Sequence, residues 1–417
     1  MAKQRVSLIL GSAVFAYFSS VVERSSMGVA SLAATHRFGI GATALSSLSV
    51  AQLVIYAVMQ IPVGILLDRF GAKKLIVFGS LVTGLGNMLV ALTPVFAGAI
   101  AGRMLVGFGD AFVFVSMIRL INGWVRGGRA TRFTQLFANI GQLGQIASAI
   151  PFAYFLGFAG WTPAFTLASS LALVAGCLGI VFLKNEPDFH PLSNEVGWFT
   201  QLKTNLRDVY TRKAFWVHFT MQSSGSVFIL LWGYPFMVQG EGLSKSTASV
   251  LLSSFVFIGF VVGPLLSHFC VAHPRMRHLL ILGVYSLIAV AWLIILLTPG
   301  VNPFWQIIFL VLCIGIGGPA SMVAFDYSRT NIPVARLGSS NGIINSGGFV
   351  ATFMSVGLIG VALDAIHTSG TFGHFGLYSL DAFKLAFPLL IAVNTIGLVM
   401  FYLARRSALR LAVAKQE

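Results

Sequence analysis

Charge is scarce in this chain. Only 9% of its 417 residues are Asp, Glu, Lys or Arg, and the acids number 12 against 27 bases. Hydrophobic residues make up 57%, so there is too little ionised surface to keep a soluble protein of this length in water, and that class is excluded. Cysteine is equally sparse. Cys177, Cys270 and Cys313 show no CxxC spacing and no metal-ligand partner, which excludes a disulfide framework; each falls in or beside an apolar run and is expected to be a small core residue. No G-x-x-x-x-G-K-[ST] segment occurs, so nucleotide hydrolysis within the chain is not expected. A metal cluster and a nucleophile triad are missing too, and the glycines between Cys313 and Pro319 lie in an apolar run without the strand–turn–helix context of a dinucleotide site. These absences argue against an enzyme and against any cofactor.

What the chain has in abundance is long apolar runs. Twelve windows of about 20 residues or more, each long enough to cross a bilayer as helix, fall at 7–31, 44–67, 75–94, 97–121, 135–157, 163–183, 215–238, 246–269, 279–298, 304–325, 339–363 and 383–404. The first is too long, and too poor in a cleavage-like site, for a removable signal peptide, so it is expected to stay in the mature protein. Basic residues set the orientation, because cytoplasmic loops keep an excess of Lys and Arg. With both termini cytoplasmic in the cell (inner) membrane, most bases fall inside, among them Lys3, Arg5, Lys203, Arg207, Arg212, Arg275, Arg277, Arg405, Arg406 and Arg410; Arg37, Lys245 and Lys384 are left outside. The net charge of +15 therefore reads as topology, not as a nucleic-acid surface.

The one long polar stretch divides the windows six and six. It implies an N-terminal bundle over 1–184, a cytoplasmic linker over 185–214 and a C-terminal bundle over 215–417. Repetition supports this division: the stretch from Gly64 to Ile76 is echoed by that from Gly263 to Leu280, with Asp68 matched by Ser267 and Arg69 by His268. Two similar halves suggest a transporter whose bundles rock about a central site.

Gly64, Asp68, Arg69, Gly71, Lys73 and Lys74 fit the loop pattern G-x-x-x-D-R-x-G-x-[RK]-[RK], and Arg103, Gly107, Gly109 and Ala111 fit R-x-x-x-G-x-G-x-A. On these residues the chain resembles the major facilitator superfamily, and window count, linker position and the degenerate second loop extend the resemblance over the whole chain. It implies an all-α integral membrane fold of twelve transmembrane helices in two pseudo-symmetric six-helix bundles. It also implies alternating access and a conformational latch at Gly64, Asp68, Arg69, Gly71, Lys73 and Lys74, with Arg103. Asp68 would accept hydrogen bonds from a helix N-terminus or an Arg, while the cations suit anionic headgroups or serve only topology.

Charged side chains at bilayer depth are costly and generally face a bundle interior or a cavity. The clear cases are Glu23, Arg24, Arg103 and Asp110. Ser20, Arg24, Gly28 and Ser31 share one helical face, with Glu23 turned about 100° away. A guanidinium there is a bidentate site for a carboxylate or phosphate, and a carboxyl there can carry a coupling proton. The competing reading is a structural ion pair of Arg24 with Asp110 or Glu23. The resemblance implies more: Arg24 is similar to the first-helix arginine of organic-anion and sugar-phosphate members, and Glu23–Arg24 to the D-R pair of the anion:cation symporters. A second arginine, which the phosphate exchangers place in the seventh helix, is missing.

Hydrogen-bonding groups complete the expected site. Substrate is assigned to Arg24, Gln145, Gln222, Asn341 and Asn345, and the proton to Glu23 and Asp110. His218, near the start of its window, is read as interfacial. The solute is then a small organic anion or zwitterion moved with a proton or other coupling ion, by a protein with no nucleic-acid partner and loops short enough for a monomer. Two alternatives stay open: an exporter of a hydrophobic compound, although the fifth window lacks the G-x-x-x-G-P-x-x-G-G stretch of drug antiporters, and a receptor that binds without flux.

Overall fold

Without water in the hydrocarbon layer, each backbone N–H and C=O needs an internal partner, and a long apolar segment meets that need by coiling into a helix. The computed structural model describes residues 2–125, 128–187, 198–369 and 375–413, without the side chains of some residues inside helices, Asp68 among them. Among these residues there is no strand. The helices are α1 (Ala2–Phe38), α2 (Ala42–Leu92), α3 (Phe96–Trp124), α4 (Gly128–Ala147), α5 (Ala153–Ala159) and α6 (Trp161–Phe182), then α7 (Trp198–Arg207), α8 (Val209–Val227), the short α9 (Gly233–Pro235) and α10 (Lys245–Ala272). They continue as α11 (Arg277–Leu297), α12 (Phe304–Ser321), α13 (Val323–Asn331), α14 (Val334–Ser369), α15 (Leu380–Ala386) and α16 (Pro388–Val413).

Ten segments among the described residues are long and apolar enough to span a membrane. The fifth and seventh windows are helical throughout but are interrupted by π turns, at Ser148–Phe152 in one and at Phe228–Trp232 and Phe236–Gly240 in the other. Pro151 and Pro235 account for the interruptions: a proline ring crowds the carbonyl four residues earlier, and a wider turn relieves the clash. With these two the helix count agrees with the twelve expected. The second and third windows run together as α2, bent at Gly71, whose φ of 77° and ψ of 163° lie outside the helical region. Only glycine takes that conformation without strain, so the break is fixed at one residue. Asn185 covers the break by accepting a hydrogen bond from Lys73 N–H at 2.8 Å.

The chain divides into two compact units, residues 1–40 with 47–195 and residues 41–46 with 196–417. In the first, Trp161 donates its indole N–H to Val90 O (3.0 Å) and Ser169 donates to Gly84 O (2.7 Å), pinning α6 to α2. In the second, Trp232, Phe236, Trp292, Phe383 and Phe387 form a ring-on-ring core with centroids 4.7–6.5 Å apart. Residues 41–46 belong to it because Ala42 and Thr43 donate N–H groups to Asp364, at 2.8 Å each. Part of the expected linker is ordered as α7, and Asp208 caps α8 by accepting from the N–H groups of Tyr210 and Thr211. Cys177 corrects one expectation: it is exposed on α6, whereas Cys270 and Cys313 are buried as expected.

Candidate functional site

The four charges singled out from the sequence converge in the first unit. Asp110, on α3, is 1% exposed; its carboxylate stands 3.4 Å from Arg24 Nη1 and accepts from the Ser20 hydroxyl, so α1 supplies both partners from one face. Arg24 remains 12% exposed and lies 5.5 Å from the centroid of the Tyr56 ring, a cation–π arrangement. Glu23 differs from Asp110. It is fully buried, and among the described residues neither of its carboxyl oxygens has a hydrogen-bond partner.

Arg103 belongs to this cluster. Its guanidinium is 1% exposed and donates to the backbone carbonyls of Glu23 (3.2 Å) and Arg24 (3.4 Å) and to the Gln52 side chain. It thus ties α3 and α2 to the stretch of α1 that carries the two site charges. Gly107, one turn beyond Arg103, permits the approach: a Cβ built there would overlap the backbone carbonyl of Gln52. Gln145 joins a polar chain in which it donates to Gln142 at 2.5 Å and Gln142 donates to the Tyr17 hydroxyl at 2.8 Å. Tyr17 in turn interacts with Arg24. Sequence reasoning missed Tyr17, Gln52 and Tyr56. A signal exists only for Tyr17, which stands seven residues before Arg24 and so shares its helical face.

In the second unit Gln222 is half-buried, donating to Ser226 Oγ and accepting from Ser321 Oγ, both at 3.1 Å. Asn341, on the same unit's α14, accepts from Ser328 at 2.8 Å, and Asn345 lies one turn further along that helix. His218 is corrected: it is 2% exposed, accepts the Gly348 N–H at 3.1 Å and sits edge-on to Phe325, so it is an internal packing residue of α8 and not an interfacial one.

Of the loop residues, Gly71 makes the bend, Lys73 donates its ammonium to Ile180 O (3.0 Å), and Arg69 and Lys74 flank the Phe70 ring at 5.4 and 6.0 Å. Gly64 has open space around it. The Asp68 side chain lies outside the described residues. Among the described residues no group of His, Cys, Asp and Glu is placed to hold a metal ion.

A multi-helix membrane protein with paired and stacked charges held at bilayer depth is the class these observations define. The chain belongs to the Major Facilitator Superfamily, whose family model matches residues 13–356. Among curated proteins it is similar to the probable sulfoacetate transporter SauU of Cupriavidus necator, at 28% identity over 194 residues, 45% of this chain and 44% of that protein. It is also similar to the probable galactarate/D-glucarate transporter GarP of Escherichia coli, at 27% identity over 180 residues, 42% of this chain and 40% of that protein. These alignments span less than half the relatives' own length. Among solved structures, a bacterial homolog of the human lysosomal transporter Spinster has a TM-score of 0.74 at 14% identity, covering 97% of this chain and 98% of the other, which shows the fold.

Proposed function

We propose that the protein is a secondary transporter of a small organic anion, working by alternating access and coupled to protons, in a cell membrane with both termini cytoplasmic. The observation that carries this reading is Arg24: a guanidinium at bilayer depth, paired on one side with Asp110, stacked on Tyr56, and still partly exposed. A fork of N–H donors so held is suited to a carboxylate or sulfonate group, and the names of the relatives, sulfoacetate and galactarate/D-glucarate transporters, agree in substrate class. Gln145 in the first bundle and Gln222, Asn341 and Asn345 in the second are the proposed hydrogen-bonding groups for the solute. Glu23 and Asp110 are the proposed proton carriers. Asp110 is already engaged by Arg24 and Ser20, which leaves Glu23, buried and without a hydrogen-bond partner, as the stronger of the two. A monomer is the proposed working unit.

Thermal stabilisation of the purified protein by sulfonates, aldarates, aldonates, amino acids and hydrophobic cations tests the reading. A hydroxy-acid or sulfonate is expected to stabilise the wild type, and Arg24→Gln to weaken that binding by about 10- to 100-fold, the worth of a charge-assisted hydrogen bond of about 1.5–3 kcal/mol. Stabilisation by hydrophobic cations alone, or anion binding indifferent to Arg24→Gln, would overturn it and leave the Arg24–Asp110 pair a structural one.

A further inference from the structure

Outside the proposed transport site, the second unit collects positive charge around one aromatic ring. Lys213, near the start of α8, holds its ammonium 3.6 Å from the centroid of the Tyr327 ring on α13. Arg277, at the start of α11, stands 5.9 Å from the same centroid and is fixed by hydrogen bonds to Cys270 O (3.2 Å) and Thr330 Oγ1 (3.4 Å). Phe401 on α16 packs at a tilt against Tyr327, centroids 6.4 Å apart, and Arg405, one turn further along α16, acts on Lys213 as a like charge. α8, α11 and α16 thus deliver three cations to one side of the bundle.

The nearby carboxylates are committed elsewhere. Asp326 pairs with Arg329 at 3.9 Å and Asp208 with Arg336 at 3.7 Å. Among the described residues no carboxylate lies within ion-pair distance of Lys213, Arg277 or Arg405. All three cations are half-buried, and their mutual repulsion persists unless an anion arrives from outside the chain. Each keeps an exposed portion, so such an anion has access.

We infer that Lys213, Arg277 and Arg405 form a binding site for a phosphate-type oxyanion at the membrane surface, of the kind an anionic phospholipid headgroup presents. The Arg405 guanidinium, the remaining N–H donors of Arg277 and the Lys213 ammonium match the several acceptor oxygens of a phosphate, and Tyr327 holds the lysine in register. The distribution of bases along the sequence puts the starts of α8 and α11 and the later turns of α16 on the cytoplasmic side, where headgroup phosphates reside.

The test uses the detergent-purified full chain and its thermal unfolding, with phosphatidylglycerol against phosphatidylcholine at equal mole fraction, and inorganic phosphate against chloride at equal ionic strength. Phosphatidylglycerol is expected to raise the unfolding temperature of the wild type and of Arg410→Gln, an exposed control on the same helix, by several degrees more than phosphatidylcholine does. Lys213→Gln and Arg405→Gln are each expected to lose most of that difference. Without lipid, Lys213→Gln is expected to unfold no earlier than the wild type, because the repulsion from Arg405 and Arg277 that it removes offsets the lost contact with the Tyr327 ring. Protection by inorganic phosphate as well would assign the site to the free oxyanion, and protection by lipid alone to the headgroup; both support the site. Equal protection by the two lipids with no effect of phosphate, or protection that survives in both Lys213→Gln and Arg405→Gln, would overturn it. If Lys213→Gln fails to purify, Arg405→Gln alone decides.

Discussion

Arg24 and Lys213 show two ways in which this chain handles a cation away from water. Arg24 is matched by Asp110 and by an aromatic face, and its backbone is held by a second buried arginine, Arg103. These charges were legible in the sequence because a charged residue within an apolar window is rare enough to need a reason. The geometry around them was not: with 12% of the chain aromatic, nothing marks Tyr17 or Tyr56 among the rest, and Gln52 is one glutamine among several. Lys213 has an aromatic face in Tyr327 but, among the described residues, no carboxylate at ion-pair distance. Burial first, then the charges of Arg405 and Arg277, lower its ammonium from the ordinary 10.5 to about 8. The other titratable groups around it are Tyr327, His278, Tyr402 and Cys270, with Asp326 acting on the last. Below pH about 8 the lysine is protonated in both folded and unfolded chains, and its cost is constant. Between about 8 and 10.5 the unfolded chain binds the proton and the folded one does not, so the residue's contribution to stability rises with pH. Melting curves of wild type and Lys213→Gln at pH about 7.5 and about 9.5 are expected to show the wild type gaining on the variant as pH rises. A difference that stays flat or falls would show that the lysine is not desolvated.

At the scale of the elements, hydropathy revealed where helices run but not how they bend or which face they bury. A window is apolar on every side when its outer face meets lipid, so pattern cannot separate Cys177, exposed, from Cys313, buried. The π turns near Pro151 and Pro235 leave no trace beyond the proline itself. Gly107 is more informative. The backbone of α2 passes so close to it that a Cβ would overlap Gln52 O, and the Gln52 side chain is the acceptor for Arg103. Gly107→Ala is therefore expected to push α2 away from α3 and to destabilise the protein by about 1–3 kcal/mol, the usual range for overpacking. Gly11→Ala, on α1 where a Cβ meets nothing within 4 Å, is expected to be neutral or stabilising through helix propensity alone. Thermal unfolding of the two variants side by side separates the readings, since equal effects would mean that the α2–α3 approach is slack.

For the whole molecule, the distribution of 27 bases and 12 acids is the strongest statement the sequence makes about orientation, and it is independent of any side-chain contact. It assigns the loop before α10, with Lys245, to the outside and the α7 segment, with Lys203, to the cytoplasm. Both residues are exposed, so each can report on its own compartment. In a background with Cys177, Cys270 and Cys313 replaced by serine, Lys245→Cys is expected to react with a membrane-impermeant maleimide in intact cells. Lys203→Cys is expected to react only after the membrane is permeabilised. Because the two positions lie on either side of the segment formed by α8, the π turns and α9, the pair also tests whether this proline-interrupted stretch crosses the membrane. Labelling of both from one side would mean that it does not cross, and the count of twelve spans would fail. Labelling in the opposite sense would keep the twelve spans and invert the protein, placing the Lys213 cluster on the outer surface.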